Sequence, residues 1–497
     1  MNIDDTELDI LDTISDLDPN KVFTPPKIAN EVLDLLPNTI WKNKEIRILD
    51  PVSKSGIFLR ESARRLMDGL KEEFPDETKR RKHILNNNLF GIATEYTCSL
   101  ISRRTLYYSK DPSSKFSVVK MSDTKGNIFF KRTDHVFFAG KCQVCGGKES
   151  LEKNDNSENF AYPFIHDDEI IENMNFDVVV GNPPYQLEDD GNNRSATIIY
   201  HHFVKQALKL NPRYVAMIIG SRWFAGGKGQ GLTDFRKELI QDKRIAKLVD
   251  YENAKEVFPT VGIDGGVCYF LWDKNFKGVT EIVNKSGKSE SSSKRYMDEF
   301  GDIFIRWNEA LTILKKVLDK NKENKYLNSI VSPRMPFGLP TNFNDFDKKG
   351  PGSYKVYGLA KKEDYIAKNK ITKGHDYIKK YKVLVSYVKG IATYPDDIIL
   401  KPFIAKPNEV CKEQYLVVDS FETKHEAENF ISYLDTKLVR FLIAIRKISK
   451  HNTSEVWSFV PYPNLDIKYS DEMLYKSYGI NKTEKSFIES KISSFSE

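Results

Sequence analysis

Apolar positions fall in two rhythms along the first half of the chain. In "TPPKIANEVLDLLP" (24–37), Ile28, Val32, Leu33, Leu35 and Leu36 recur at the helical period, behind prolines that suit a first turn. "EIRILD" (45–50) reads as a strand, and "GIFLRESARRLMDGL" (56–70) as a helix with Phe58, Leu59, Ala63 and Leu66 on one face. "NLFGIATE" (88–95) is a second strand, followed by helical "YTCSLISRRTLYY". "FDVVVG" (176–181) is another strand, "YHHFVKQALKL" (200–210) a helix, and "YVAMIIGSRWF" (214–224) a strand. Strands alternating with helices predict an α/β fold built on a doubly wound, mostly parallel Rossmann-like sheet. The alternation ends near "GGVCYFLWD" (265–273).

The organisation follows from where the rhythm changes. Residues 1–20 form an acidic leader, 21–283 a first domain, 284–299 a polar, serine-rich linker, and 300–497 a second domain of mixed α+β character. An insertion at 131–170 interrupts the sheet pattern. With 497 residues, more than one core is expected. No run approaches the roughly 20 apolar residues of a membrane helix, and "MNIDDTELDILDTISDLD" lacks a signal peptide's basic start, so a cytoplasmic location without membrane association is expected. The five cysteines do not suggest a disulfide framework. The net charge of +6 (76 minus 70) is too small to identify a partner.

Candidate chemistry lies at the strand exits. Pro183 and Pro184 cannot continue the ladder begun by Val178, Val179 and Val180, because they have no N–H. "GNPPYQ" (181–186) is therefore a stiff loop at the sheet's edge, carrying Asn182 and Tyr185. In an open parallel sheet, ligands bind beyond the carboxyl ends of the strands. The first strand leaves through "LDPVSKSGIF", an acid and small residues ahead of a helix, which suits a nucleotide-like ligand. The second strand ends at Glu95, where an acid commonly accepts from ribose hydroxyls.

Taken in order, these motifs resemble the DNA adenine-N6 methyltransferases of restriction–modification systems, the family with an Asn-Pro-Pro-Tyr loop, in the gamma arrangement. The resemblance covers about residues 20–280, so 21–283 would be the methyltransferase catalytic domain and 300–497 a DNA target-recognition domain. It implies S-adenosylmethionine as cofactor, held by Thr24, by Asp50, Pro51, Ser53, Ser55 and Gly56 of the donor loop, by Glu95 on the ribose, and by Asp123 of "MSDTKGN" near the adenine. It implies Asn182, Pro183, Pro184 and Tyr185 as the catalytic loop, with Phe258 backing a flipped-out target adenine opposite Tyr185. Lys54 stands where the family's donor loop usually has glycine, and lysine does not adopt positive φ cheaply. The implied partners are double-stranded DNA and a separate restriction endonuclease. Alternatives are methylation of RNA or of protein glutamine, and a catalytically weak, DNA-binding specificity subunit.

Two further features bear on partners. Cys142 and Cys145 have the spacing of a zinc knuckle, which His135 and His166 could complete; the alternative is a small hairpin with two reduced thiols. Residues 354–390 carry ten lysines against three acids, or +7, with six tyrosines interleaved. Such a stretch suits phosphate contacts, and Lys379, Lys380 and Lys382 are expected among them.

Overall fold

The computed structural model describes residues 23–149, 161–167, 169, 175–187, 197–224, 226, 231–263, 265–358, 364–388, 400–447 and 451–492; the acidic leader lies outside them. The chain divides into two compact units between Phe304 and Ile305.

The first unit contains β1 (Ile48–Ser53), β2 (Leu89–Ala93), β3 (Ile128–Phe129), β4 (Phe137–Phe138), β5 (Lys141–Cys142), β6 (Val178–Gly181), β7 (Tyr214–Gly220), β8 (Ile245–Tyr251), β9 (Val267–Asp273), β10 (Thr280–Ser286) and β11 (Ser289–Arg295). Nine of these form one sheet in the order β11-β10-β8-β9-β7-β6-β1-β2-β3, and β4 pairs with β5 alone. Pairing is parallel from β3 through β7; β9 runs antiparallel to both β7 and β8. The apolar runs become the central strands because both faces are covered: every residue of β1, β2, β6 and β7 is buried.

The strand order reverses at β1. The chain leaves β1 through helix Ile57–Gly69 toward β2 and β3, then re-enters on the other side as β6 and β7. The crevice beside such a switch point is where open α/β sheets hold ligands. Asp177 sets the start of β6: its N–H donates to the Arg47 carbonyl at 2.9 Å, and its Oδ2 accepts from the Arg47 N–H at 2.9 Å. β1 runs past its expected end at Asp50. Pro51 has no N–H for the ladder, and the β1–β2 register slips between Asp50 and Ser53.

Residues 284–294, expected as a linker, are instead strand. β10 and β11 form an antiparallel hairpin at the sheet edge, turned by Gly287 (φ +58°) and Lys288. A serine-rich run fits an edge strand, where few side chains are buried and polar groups discourage further pairing. Lys285 is also tied inward. Its Nζ lies 3.3 Å from Glu31 Oε2, which accepts from the Tyr251 and Tyr269 hydroxyls at 2.8 Å each. Burial works against that carboxylate, yet the two hydroxyls and Lys285 hold it below its ordinary range. This network fixes helix Pro26–Leu33 on the sheet, and with it Thr24 just before the helix.

The second unit has two three-stranded sheets. The strands are β12 (Tyr354–Tyr357), β13 (Asp364–Ile366), β14 (Tyr381–Ser386), β15 (Phe403–Ala405), β16 (Glu409–Cys411) and β17 (Tyr415–Phe421). They are ordered β13-β12-β16 and β15-β14-β17 around a core that includes Phe337, Ile366, Leu384 and Val417. Capping boxes begin helices Lys424–Leu434 (Thr423 with Glu426) and Lys482–Lys491 (Asn481 with Glu484). The basic stretch is not the open surface its charge suggested. Lys382 is wholly buried in β14, and its ammonium donates to the carbonyls of Tyr377, Ile378, Lys380 and Lys406 at 2.8–3.3 Å. Lys380 pairs with Glu422, and Lys370 with Asp345 and Asp347. Lys373 and Lys379 stay exposed, while Lys361, Lys362 and Lys389 lie outside the described residues.

Candidate active site

β1 and β6 run side by side and end at the same edge, with Ile48 opposite Val178 and Leu49 opposite Val179. Gly181 closes β6 at a point where backbone must approach closely. A Cβ there would lie 2.9 Å from Val52 Cγ2 and 3.1 Å from Asp50 Oδ1. The next residue, Asn182, is buried. Its Nδ2 donates to Thr24 Oγ1 at 3.0 Å, and its Oδ1 is buried with no hydrogen-bond partner. Pro183 and Pro184 are buried behind it. A buried acceptor without a donor costs about 1–3 kcal/mol, so the fold keeps this amide oxygen unpartnered at the expense of stability.

The loop after β1 is clamped to helix Tyr96–Tyr107. Ser53 Oγ and Ser102 Oγ lie 3.0 Å apart, and the Ser102 hydroxyl donates to the Lys54 carbonyl at 3.1 Å. The left-handed residue in this loop is Gly56 (φ +75°), which precedes helix Ile57–Gly69 and whose added Cβ would sit 3.1 Å from Ser102 Cα. Lys54 is not forced to positive φ, so its replacement of glycine is compatible with the loop. Thr24, Asp50, Ser55, Gly56 and Asn182 line one cavity together with Val52, Lys54, Ile57 and Phe58. Burial pushes the Asp50 carboxyl up to about 7, against the Val52 N–H, Ser53 and Lys54, which favour its charge.

Other expected residues do not line that cavity. Pro51 lies within β1, and Ser53 faces Ser102. Glu95 is half-buried at the start of helix Tyr96–Tyr107, beyond β2. Asp123 is exposed and holds a turn, its Oδ1 accepting from the N–H groups of Lys125 and Gly126. Tyr185 and Phe258 were expected to face each other across a base. They meet edge to face, with ring centroids 6.3 Å apart and planes at 69°. Phe258 is buried, and the Tyr185 hydroxyl is buried without a partner, its pKa raised well above 10 by burial. In this conformation the two rings pack on each other.

Val52, Ile57, Phe58 and Ser102 were missed as site residues. Ile57 and Phe58 carried a signal, since they open the helix directly after the loop glycine; Ser102 sits mid-helix, and nothing local marks it. In the insertion, Cys142 and Cys145 converge with His135 and His166, all four ligand atoms lying within 4.8 Å of one another.

Comparison with known proteins gives this geometry a context. The profile of the Eco57I restriction-modification methylase family matches residues 87–258, which include β2, the Asn182 loop and Phe258. An uncharacterized adenine-specific methylase of Mycoplasma pneumoniae is 36% identical over 326 residues, spanning 58% of this chain and 76% of that protein. Solved structures are more distant. The type IIL restriction-modification enzyme MmeI in complex with DNA gives a TM-score of 0.46 at 11% identity, covering 90% of this chain and 65% of that one. The M protein of type I restriction enzyme EcoKI gives 0.36 at 12%, covering 55% of this chain and 50% of that one. The chain thus spans about half the length of that M protein. Among the described residues, no helix is long and apolar enough to cross a membrane. On the strength of the Mycoplasma relative and the family match together, the chain belongs to the Eco57I family of adenine-specific restriction-modification methylases.

Proposed function

We propose that this protein transfers a methyl group from S-adenosylmethionine to the N6 amino group of adenine in DNA, as the modification half of a restriction–modification system. The observation that carries the reading is the unpartnered, buried Oδ1 of Asn182 beside the cavity at the β1–β6 switch point. An exocyclic amine is a poor nucleophile because its lone pair is delocalised into the ring. Asn182 Oδ1 accepts one amino hydrogen and the Pro183 carbonyl the other, which draws the nitrogen toward tetrahedral geometry and frees the lone pair. Thr24 holds the amide in the orientation that presents its oxygen.

The cavity suits the methyl donor. Asp50 and Lys54 give it one acid and one base, the complement of an amino-acid end, and Gly56 opens the helix start to close backbone approach. Bound there, S-adenosylmethionine supplies an activated methyl on a sulfonium. Glu95 is the proposed ribose acceptor and Asp123 the contact to the donor's adenine. A duplex hides the target amine, so the base must be flipped out. Tyr185 then turns off the edge of Phe258 to stack on it. The second unit supplies DNA contacts, with exposed Lys373 and Lys379 as phosphate-binding candidates. Restriction is assigned to a separate endonuclease.

The test uses labelled donor and three substrates: duplex DNA, RNA, and a protein bearing an accessible glutamine. Label in DNA alone supports the reading. Label in RNA or protein moves the activity to another substrate. DNA binding with neither donor binding nor transfer would make the chain a DNA-binding specificity subunit.

A further inference from the structure

The insertion converges four side chains that the proposed methyl transfer does not use. His135 leads into the β4–β5 hairpin, Cys142 ends β5, Cys145 lies in the following turn, and His166 ends the short helix Pro163–His166. Both thiols are buried. Cys145 Sγ lies 3.5 Å from His135 Nδ1, and Cys142 Sγ lies 3.6 Å from His166 Nε2. A tetrahedron with zinc–ligand bonds of about 2.0–2.3 Å has edges of about 3.3–3.8 Å, and these two edges fall inside that range.

The backbone around the cysteines has the form such a site needs. The Gly146 N–H donates to the Cys142 carbonyl at 3.0 Å, and the Cys142 N–H donates to the Gly147 carbonyl at 2.7 Å. Gly146 supplies the left-handed turn (φ +71°) that brings the second thiol back toward the first. The outer shell is present as well. His166 Nδ1 lies 3.0 Å from the Tyr162 carbonyl, so the N–H faces that oxygen and Nε2 is left to face the cluster. Charge is balanced, because a divalent cation with two thiolates and two neutral imidazoles is neutral overall and can be buried. Two sulfurs and two nitrogens are the ligand set of a closed tetrahedral zinc site.

We infer that His135, Cys142, Cys145 and His166 bind one structural zinc ion, and that the ion fastens the insertion against the exit of the Asn182 loop. Binding releases one proton from each thiol and involves no oxidation. The fastening rests on two contacts. Gly147 sits so close to the loop that an added Cβ would lie 2.8 Å from Leu187 Cδ1. Tyr162, which precedes the short helix that carries His166, and Phe164, within it, pack on Phe203 of helix Tyr200–Lys209, at 5.5 and 6.2 Å between ring centroids. The loop closes between these contacts: the Leu187 N–H donates to Thr197 O, and the Ile199 N–H to Tyr185 O. The metal site stands whether or not the methyl-transfer reading does.

The test measures metal in the full chain by mass spectrometry after dialysis, then replaces it with cobalt. About one zinc per chain is expected, with the visible spectrum of tetrahedral cobalt bearing sulfur ligands. Cys142→Ser should lower zinc to below about a tenth of an equivalent. His166→Cys should keep the metal and strengthen the sulfur-to-cobalt absorption, which separates loss of a ligand from loss of fold. Removing zinc should speed hydrogen exchange at Leu187 and Ile199 and leave β8 unchanged. Wild-type protein that is folded by circular dichroism yet binds neither zinc nor cobalt would overturn the site. Zinc binding with no change in exchange at Leu187 and Ile199 would overturn the fastening.

Discussion

Asn182 and Thr24 are joined by a single buried hydrogen bond, Nδ2 to Oγ1 at 3.0 Å, between residues 158 positions apart in sequence. The bond ties the loop after β6 to the entry of helix Pro26–Leu33, which the Glu31 network fixes on the sheet. It leaves Asn182 Oδ1 as the buried acceptor at the cavity. Thr24→Val keeps the shape and removes the acceptor. The turnover rate should fall roughly tenfold, matching a net hydrogen bond of about 1 kcal/mol with some loss of orientation. KM for DNA should stay within about twofold of wild type. A steady-state comparison checks the split; a change confined to KM would show that Thr24 serves binding instead.

Tyr185 carries a hydroxyl that the folded protein does not satisfy. Tyr185→Phe should therefore keep activity and gain up to about 1 kcal/mol in stability. Tyr185→Ala should lower activity by the stacking contribution, on the order of 1–3 kcal/mol. Denaturant unfolding and rates measured on the same samples decide it. A Phe variant as inactive as Ala would assign the hydroxyl a role and remove stacking as the account.

Asp50 makes a pH prediction. Its carboxyl sits at about 7 in the folded chain, against about 3.9 when unfolded. The folded state therefore keeps a proton that the unfolded state loses between those values. This contribution to stability is fully present below about pH 4 and is lost as pH rises through about 7, up to roughly 4 kcal/mol in all. Asp50→Asn should gain stability relative to wild type as pH goes from 5 to 8, as measured by thermal melts. Because an ammonium partner draws off that proton, donor affinity should rise between about pH 5 and 7 in wild type and stay flat in the variant. Calorimetry across that range tests it.

Lys382 is the lysine whose role the structure changes most. Four carbonyls surround its ammonium, so Lys382→Met should destabilise the second unit by about 2 kcal/mol or more. Lys379→Glu, at an exposed position, should cost little stability and flatten the salt dependence of DNA binding by about one unit of log–log slope. Chemical denaturation and salt titrations of the two variants should thus give opposite patterns. A flattened slope in a stable Lys382→Met variant would reverse the assignment.

What was legible in the sequence was whatever had a local signature. The valine run before Pro183 announced β6, and the prolines announced its end. The left-handed turn, which the family's pattern made a difficulty for Lys54, was not located from the sequence; it falls two positions later, at Gly56. Features set by distant contacts were not legible. The serine tract at 289–293 has a linker's composition, and only pairing with β10 makes it a strand. Lys382 has the charge of a surface residue, and only the surrounding carbonyls make it a core one. Ser102 gains its place by meeting Ser53 across 49 residues. The edge-on packing of Tyr185 and Phe258 depends on side-chain torsions that a residue pattern does not specify.

The central claim is that Asn182 directs methyl transfer to the adenine amine, and one measurement tests it most directly. Wild type and Asn182→Ala are incubated with duplex DNA and donor bearing a deuterated methyl group, and the DNA is digested to nucleosides for mass spectrometry. Wild type should place the label on adenine N6. The variant should bind donor and DNA with unchanged affinity and yield less than about a hundredth of the product, since the lost interaction acts in the transition state. Label on another base, or a variant that keeps more than about a tenth of the wild-type rate, would contradict the account.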